Sequence, residues 1–187
     1  MPFIEVIPPE KAIGNLKDIY EDFITKRGKI AEIHKIQSLN PESVVAHMEL
    51  YLTIMFGQSP LTRAQREMIG VVVSVSNQCE YCQVHHSEAL MHFWNDNEKV
   101  QKLKTDYRSA DLSEVDKLLC DYARELTKHP GGKWCEESYI QPLREQGLDD
   151  RAILDATLVI GYFNFVNRLV LALGLDLEDD PGGYKYD

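Results

Sequence analysis

Apolar residues recur every three to four positions along most of this chain, which is the spacing of one face of an α-helix. Polar caps, prolines and glycines interrupt the pattern and divide it into segments. The segments predicted to be helical are 10–28, 30–39, 41–57, 62–75, one from about 78 to 94, a short one ending near 103, 113–128, 136–146 and 151–173. We therefore predict an all-α fold of seven to nine helices, with no convincing strand.

Three of the predicted helices begin with recognisable capping signals. Thr62 and Gln65 have the spacing of a capping box, Ser113 precedes Asp116 by three residues, and Asp149 stands before the last long segment. The β-branched run at 69–75 has strand propensity, but the chain contains no second strand candidate with which it would pair. We therefore predict that this run is a buried part of a helix.

The domain organisation predicted for the chain is a single helical domain over residues 1–187. The prolines at positions 8 and 9 predict an extended N-terminal arm over 1–9. The Pro- and Gly-containing end predicts a flexible C-terminal tail over 176–187. Segments 61–86 and 148–173 share the order of polar cap, apolar stretch and Asn, which hints at a duplicated helical unit.

Composition restricts the partners and the compartment of this 187-residue chain. Its formal net charge of -10 argues against a nucleic-acid backbone or an anionic membrane as partner. The amino terminus lacks the features of a signal peptide, and no window approaches 18 uninterrupted apolar residues. We therefore expect a cytoplasmic protein, in which thiols are kept reduced and a Cys-x-x-Cys pair is redox-active or metal-binding.

The pair of cysteines at positions 79 and 82 is followed by a histidine at the right helical spacing. With about 100° of rotation per residue, Cys79, Cys82 and His86 lie on one stripe, whereas His85 and Tyr81 point away from it. If Asn77 caps the helix, then Cys79 lies in its first turn, where the unpaired N–H groups stabilise a thiolate. This argument favours Cys79 as the more reactive thiol.

Glu67 is the candidate partner for His86 in a proton relay. A carboxylate is suited to orient an imidazole, and the imidazole is suited to move protons near neutral pH. In one straight helix, residues 67 and 79 would be about 18 Å apart. The assignment therefore requires a sharp turn between them, which we predict at 74–77.

Two other interpretations of these residues stay open. Cys79, Cys82, His86 and Glu67 form a conceivable tetrahedral zinc site, although structural zinc sites usually take ligands from two separated knuckles. The cysteines are alternatively inert and buried. The cysteines and histidines predicted only to pack or to lie at the surface are Cys120, Cys135, His34, His47, His92 and His129.

The arrangement of Glu67, Cys79, Cys82 and His86 resembles the active-site signature of the alkylhydroperoxidase AhpD-like family, in the carboxymuconolactone decarboxylase-like superfamily. The local form Cys-x-Tyr-Cys-x-x-His-His, together with the segment 161–169, resembles its peroxidase-related branch. The signature covers residues 61–93, and the similarity of length and helix layout covers about 40–175.

The resemblance implies an AhpD-like multi-helix domain that assembles into a homo-oligomer, a trimer or a hexamer. It implies that Cys82 becomes the sulfenic acid, that Cys79 is its proton donor and resolving thiol, and that Glu67 and His86 form the proton relay. It implies no cofactor and no metal. Tyr81 departs from the family, whose characterised members have a histidine there, and tyrosine is a poor base at neutral pH.

We therefore expect a thiol-dependent peroxidase that reduces a hydroperoxide through a Cys79–Cys82 disulfide cycle, with a protein or lipoyl dithiol as electron donor. An alternative is a dithiol–disulfide reductase whose substrate is the lipoyl or protein partner itself. A second alternative is a zinc-binding or structural oligomer without turnover. Decarboxylation is the least favoured reaction, because it does not need paired thiols.

Overall fold

The computed structural model describes residues 1–132, 136–178 and 181, and this part of the chain contains helices and no β-strand. The α-helices are α1 Gly14–Arg27, α2 Glu32–Lys35, α3 Pro41–Phe56, α4 Arg63–Ser76, α5 Glu80–Trp94, α6 Asn97–Asp106, α7 Glu114–Lys128, α8 Gln141–Glu145 and α9 Asp150–Leu173. Short 3-10 turns occupy Pro9–Lys11 and Tyr107–Ser109, and a π-helical turn, Glu136–Ile140, precedes α8. The all-α prediction is confirmed.

The three predicted capping signals are made in the structure. The Thr62 side chain accepts a hydrogen bond from the Gln65 N–H, and the Gln65 side chain accepts one from the Thr62 N–H, which completes the capping box of α4. The side chains of Ser113 and Asp149 likewise accept from backbone N–H groups in the first turns of α7 and α9. The sequence therefore predicts these helix starts because the caps depend on local contacts only.

Three predicted helix starts are wrong. The helix predicted over 30–39 is confined to Glu32–Lys35, because Ala31 is extended. The first helix begins at Gly14 rather than at residue 10, because Gly14 has a φ of +56° and the preceding Ala12 and Ile13 are extended. The fifth helix begins at Glu80 rather than 78, because Gln78 adopts a φ of +58°. Asn77 is the C-cap of α4 and not the N-cap of α5.

The side chain of Asn77 explains why it does not cap α5. Its amide nitrogen donates to the side-chain oxygens of Asn164 and Asn167 in α9, at 3.0 and 2.9 Å. This tertiary contact fixes the orientation of the side chain whose oxygen the local sequence would assign to the helix start. Cys79 takes the N-cap position instead, and its N–H donates to the Ser74 carbonyl at 2.9 Å.

Helix α4 is the centre of the core and packs against α5, α7 and α9. Its β-branched run is buried, as predicted. Gly70 allows α9 to approach closely, because a Cβ at this position would lie 2.6 Å from the Phe163 ring. Phe163 in turn packs edge-on against His86 of α5, with ring centroids 4.4 Å apart. The close packing of α4 and α9 therefore also positions a side chain of the candidate site.

The N-terminal arm packs on its own chain. The N–H of Phe3 donates to the carbonyl of Leu173 at the end of α9, and the N–H of Ile7 donates to Ser38 Oγ. The hydroxyl of Tyr20 in α1 donates to the Ile7 carbonyl at 3.0 Å. These contacts attach residues 1–9 to a second, smaller apolar cluster that lies between α1 and α3.

Helix α9 is, in the described part of the chain, the one helix long and apolar enough to cross a membrane by length and composition. Its most apolar 18-residue window has a mean hydropathy of 1.5, and 44% of that window is buried inside the protein. The helix packs against α3, α4 and α7. These contacts are those of a core helix in a helical bundle.

Candidate functional site

The turn between α4 and α5 brings Glu67 and His86 together. The two helices form a hairpin, with the chain reversing at Asn77–Cys79 rather than at the predicted 74–77. The Nδ1 atom of His86 lies 2.7 Å from Glu67 Oε2. The Glu67–His86 pair expected from the sequence is therefore a direct contact in the structure.

Glu67 is fully buried, and each of its oxygens has a cationic or N–H partner. Arg63 donates to Oε1 through its Nε and Nη2 atoms at 3.1 and 2.6 Å, and His86 donates to Oε2. Burial alone would raise the pKa of Glu67, but His86 and Arg63 outweigh it and lower the pKa. Glu67 is therefore a carboxylate that holds the Nδ1–H tautomer of His86 and leaves Nε2 to accept a proton.

Cys79 and Cys82 are free thiols whose sulfurs lie 3.0 Å apart. The two thiols are hydrogen-bonded to each other, and this contact lowers the pKa of Cys79 and raises that of Cys82 well above its usual value. Burial raises the pKa of Cys82 further, and the Cys82 backbone N–H lowers that of Cys79. The N-cap position of Cys79 therefore favours a thiolate there, as argued from the sequence.

A cavity of about 80 Å³ lies against Cys82. Cys82 and His86 line it, whereas Cys79 is fully buried behind them. The remaining wall consists of apolar side chains, tyrosines and histidines, with two cationic side chains: Ala31, Ile33, Met48, Ala89, Val166, Tyr51, Tyr81, Tyr162, His34, His85, Arg27 and Lys29. A small, largely apolar molecule in this cavity would meet Cys82 before Cys79.

Tyr81 and His85 line the same cavity, which corrects the expectation that they point away from the cysteine stripe. The reason is Glu178, whose Oε1 accepts from the Tyr81 hydroxyl and the Glu32 N–H and whose Oε2 lies 2.8 Å from His85 Nε2. Burial alone would raise the pKa of Glu178, but the hydrogen bonds, that from His85 foremost, lower it to about 2. The sequence could not reveal this long-range contact.

Glu178 belongs to the predicted C-terminal tail, and its side chain hydrogen-bonds to residues of the site. The tail over 176–187 was expected to be flexible, and its residue Glu178 is half-buried against the site by the contacts just described. Residues 179, 180 and 182–187 lie outside the described part of the chain. The flexible tail therefore stays a prediction, and its described residue Glu178 hydrogen-bonds to the site.

Asparagines of α9 hydrogen-bond to the turn before α5 and to the Cys82 thiol. Asn167 hydrogen-bonds to the Cys82 thiol, which acts to lower the pKa of that thiol, and its amide nitrogen lies 3.3 Å from Ser74 Oγ. It also accepts from Asn77 in the turn that carries Cys79. The segment 161–169 was noticed in the sequence only as part of a resemblance. In the structure it fixes the turn and contacts the thiol.

The cysteines and histidines predicted only to pack or to lie at the surface take different positions in the described part of the chain. Cys120 is buried in α7, and burial raises the pKa of its thiol well above the usual value. Cys135 lies outside the described residues. His47 is buried, and His34 is buried at the cavity wall. Within residues 1–132, 136–178 and 181, no group of three or more His, Cys, Asp or Glu side chains is arranged to hold a metal ion.

Comparison with known proteins identifies the family. Residues 41–105 match the carboxymuconolactone decarboxylase family. An uncharacterized peroxidase-related protein from Silicibacter sp. TM1040 is 31% identical, with a TM-score of 0.80 over 95% of this chain and 90% of that one. This chain belongs to the AhpD-like carboxymuconolactone decarboxylase superfamily. The resemblance drawn from Glu67, Cys79, Cys82 and His86 is thereby confirmed.

Two further structures show how widely this AhpD-like fold is used. An uncharacterized peroxidase-related protein from Ralstonia eutropha JMP134, described as an alkylhydroperoxidase AhpD core, is 22% identical with a TM-score of 0.85, over 95% of this chain and 93% of that one. The debrominase Bmp8 is 18% identical with a TM-score of 0.78, over 96% and 94%. At these identities the comparison shows the AhpD-like fold alone.

Proposed function

We propose that this protein is a thiol-dependent peroxidase that reduces hydroperoxides through a disulfide cycle between Cys79 and Cys82. The observation that carries the proposal is the pair of free thiols 3.0 Å apart, with Cys82 at a cavity that His86 also lines. A second thiol in contact with the first condenses with a sulfenic acid before further oxidation occurs.

The first step is the attack of the Cys82 thiolate on the hydroperoxide. The proton of the Cys82 thiol moves to Cys79 along the hydrogen bond between the sulfurs. An S–O bond then forms while the O–O bond breaks, which leaves a sulfenic acid on Cys82 and an alkoxide. His86, oriented by Glu67, passes the proton from Cys79 to the alkoxide, and the alcohol leaves.

The second step forms the disulfide. The Cys79 thiolate attacks the sulfenic sulfur of Cys82, the S–S bond forms, and hydroxide leaves and takes up a proton to become water. An external dithiol then reduces the disulfide by exchange and is itself oxidised. The lower pKa of Cys79 fits its role as base and resolving thiol, whereas the cavity position of Cys82 fits attack on the substrate.

The alternative function is that of a dithiol–disulfide reductase, with a protein or lipoyl disulfide as substrate. Burial favours the peroxidase over this alternative, because Cys79 is 0% and Cys82 is 1% exposed. A hydroperoxide reaches Cys82 through the cavity, but the flat surface of a protein disulfide does not. For the reducing half of the cycle the same argument favours a slender lipoyl-type dithiol over a folded protein as donor.

The zinc-binding alternative is disfavoured by Arg63. Its guanidinium occupies one oxygen of Glu67, and His86 Nδ1 occupies the other. A cation at this site would need both groups as ligands and would lie beside an existing positive charge. We therefore assign Glu67 and His86 to proton transfer and not to metal binding.

Thiol counting tests the proposed function directly. One equivalent of tert-butyl hydroperoxide should remove two thiols per chain, and peptide mapping should place both in a disulfide between Cys79 and Cys82. A parallel sample with 2,3,4-tribromopyrrole, the compound bound to a cysteine-to-alanine variant of Bmp8, tests a debrominase reaction. Loss of no thiols with the hydroperoxide, or loss from Cys120, would contradict the peroxidase.

We propose that the active form is a homo-oligomer, a trimer or a hexamer, assembled through an exposed face of α9. Leu154, Leu158 and Phe165 lie on one stripe of this helix and are 53%, 44% and 44% exposed. Gly161 lies on the same stripe and has open space in place of a side chain. Such a stripe buries apolar area when it meets a second copy.

Leu158→Arg should therefore dissociate the oligomer, because it places a charge in the apolar stripe. Light scattering coupled to size-exclusion chromatography measures the mass, which should fall to that of the monomer. Ile24→Arg is the matched control, since Ile24 is 43% exposed on α1 and lies outside the stripe. An unchanged mass for the α9 variant would assign the interface to another surface.

The compartment and the partners that we propose follow from the chemistry of this reaction and from the charge of the chain. A cycle that begins from two reduced thiols fits the cytoplasm, where thiols are kept reduced. A net charge of -10 does not favour nucleic acid or an anionic membrane as partner. The partners are then the hydroperoxide, the dithiol donor and further copies of the same chain.

A further inference from the structure

A series of hydrogen-bonded side chains leads from Gln37, just after α2, to the wall of the cavity and plays no part in the mechanism described above. Gln37 Nε2 lies 2.7 Å from His47 Nδ1, and His47 Nε2 lies 2.8 Å from the hydroxyl of Tyr162. Tyr162 lines the cavity together with Cys82 and His86. Tyr162 thus connects a buried hydrogen-bond chain to the place where the substrate would bind.

The donors and acceptors in this series of hydrogen bonds follow from Gln37, its first member. The Gln37 amide nitrogen donates to the carbonyl of Ile33 at 2.7 Å, so the amide cannot be reversed without placing two oxygens against each other. Because an amide nitrogen donates hydrogen bonds and does not accept them, His47 Nδ1 accepts the second hydrogen bond from Gln37 Nε2. His47 carries its single proton on Nε2 as long as the ring is neutral.

Burial keeps the imidazole neutral. His47 is 4% exposed, and burial lowers its pKa to about 4. At neutral pH the Nε2–H of His47 therefore donates to the oxygen of Tyr162, and the hydrogen of the Tyr162 hydroxyl turns away from His47. Tyr162 keeps this hydrogen, because burial raises its pKa well above the usual value. Its hydroxyl is left as a donor at the cavity wall.

We propose that Tyr162 binds the leaving oxygen of the hydroperoxide through its O–H group and thereby stabilises the alkoxide formed when Cys82 attacks. The proposal rests on the peroxidase function above. The Cys82 sulfur and the distal oxygen form the S–O bond, the O–O bond breaks, and the proximal oxygen takes the electron pair. Tyr162 donates a hydrogen bond to that oxygen and keeps its proton, and the alkoxide is protonated through His86.

The surroundings of Tyr162 support a donor aimed at developing negative charge. Neutral donors that are already in position stabilise a transition-state oxyanion strongly in a site with little water. The His47 N–H polarises the Tyr162 hydroxyl and makes it a better donor. Tyr51 and Phe163 pack against the Tyr162 ring, with centroids 5.8 and 5.3 Å away, and hold its orientation. We therefore assign to Tyr162 the role that His86 and Glu67 do not fill.

Tyr162→Phe tests this assignment when three reagents are compared. We expect oxidation of Cys82 by tert-butyl hydroperoxide to slow by roughly 10- to 100-fold, because one oxyanion donor is lost. Oxidation by peracetic acid should slow by about threefold or less, because its acetate leaving group needs little stabilisation. Alkylation by iodoacetamide should be unchanged, because iodide accepts no such hydrogen bond. Equal slowing with all three reagents would assign Tyr162 to packing and overturn the proposal.

Gln37→Glu tests the direction of the chain with the hydroxyl intact. A carboxylate at position 37 accepts from His47 Nδ1–H, so that Nε2 becomes an acceptor and draws the Tyr162 hydrogen away from the cavity. This variant should reproduce the selective loss with tert-butyl hydroperoxide, and the double variant should lose no more than Tyr162→Phe alone. Nitrogen NMR of the His47 ring should show the proton on Nε2 in the wild type. A proton on Nδ1 would refute the inference.

The controls separate this inference from the proposed function. Tyr107→Phe removes another buried tyrosine hydroxyl, one bonded to Asp121, and should leave the selectivity among the three reagents unchanged. If the wild type consumed no hydroperoxide, the peroxidase function would fail and Tyr162 would lose this role with it. If the wild type turned over and Tyr162→Phe kept the full rate with tert-butyl hydroperoxide, only the inference would fail.

Discussion

Replacing Cys82 by serine is expected to lower hydroperoxide turnover by at least about 1,000-fold, because the variant lacks the attacking sulfur. The fold should be kept, since a serine hydroxyl at this position can hydrogen-bond to the Cys79 sulfur, as the thiol does. Steady-state peroxide consumption and the thermal unfolding midpoint measure the two effects. Turnover near the wild-type rate in this variant would rule out Cys82 as the nucleophile.

Two cysteine variants complete the Cys82 experiment. Cys120→Ser is the matched control, because it changes another fully buried thiol in the same way but outside the site. It should retain activity. Cys79→Ser should still form a sulfenic acid on Cys82, which dimedone traps, but no intramolecular disulfide. Trapping of a sulfenic acid on Cys79 in the Cys82→Ser protein would reverse the assigned roles of the two thiols.

Glu67→Gln is expected to have the second large effect. It removes the charge that fixes the tautomer of His86, and general acid–base assistance is worth about 100- to 10,000-fold in rate. It also leaves Arg63 without its buried partner, and breaking such a pair costs about 3–5 kcal/mol of unfolding free energy. Urea unfolding and the rate of peroxide consumption check the two parts. A rate close to the wild type would remove Glu67 from the relay.

The pH dependence of unfolding provides an independent signature of Glu67. Its pKa in the folded protein lies below the ordinary value of 4.5, so ionised Glu67 stabilises the folded state above that pH. This stability is lost as the pH falls below 4.5 toward the folded pKa, and Glu67→Gln should lack that part of the slope. Glu80→Gln, the same change at an exposed carboxylate, should retain it.

Local signals account for most of the fold that could be predicted from the sequence. The capping box at Thr62 and the caps at Ser113 and Asp149 are confirmed because each depends on backbone groups within three residues. The start of α5 was misplaced by two residues because Asn77 is bound by asparagines of α9, some 90 positions away in the chain. Local capping rules contain no information about such partners.

The candidate site, like the fold, was predictable where it depends on local signals and unpredictable where it depends on long-range contacts. The sequence by itself determined the all-α class, through helical periodicity, and the superfamily, through the resemblance of Glu67, Cys79, Cys82 and His86 to a known signature. The pairing of Arg63 with Glu67 was missed although the two residues have i,i+4 spacing within α4, which is a local signal. Only the tertiary structure decided that Glu67 is fully buried, because α5, α7 and α9 pack against α4.

The cavity belongs wholly to the tertiary structure. Its wall includes Tyr162 from α9 and His34 from α2, and Glu178 from the C-terminal segment holds Tyr81 and His85 in place. None of these side chains is within 40 positions of Cys82 except Tyr81 and His85, whose orientation Glu178 determines. Residue spacing identifies which side chains share a helix face. Which faces meet, and which side chains line the cavity together with Cys82, is decided by long-range packing and by hydrogen bonds between distant segments.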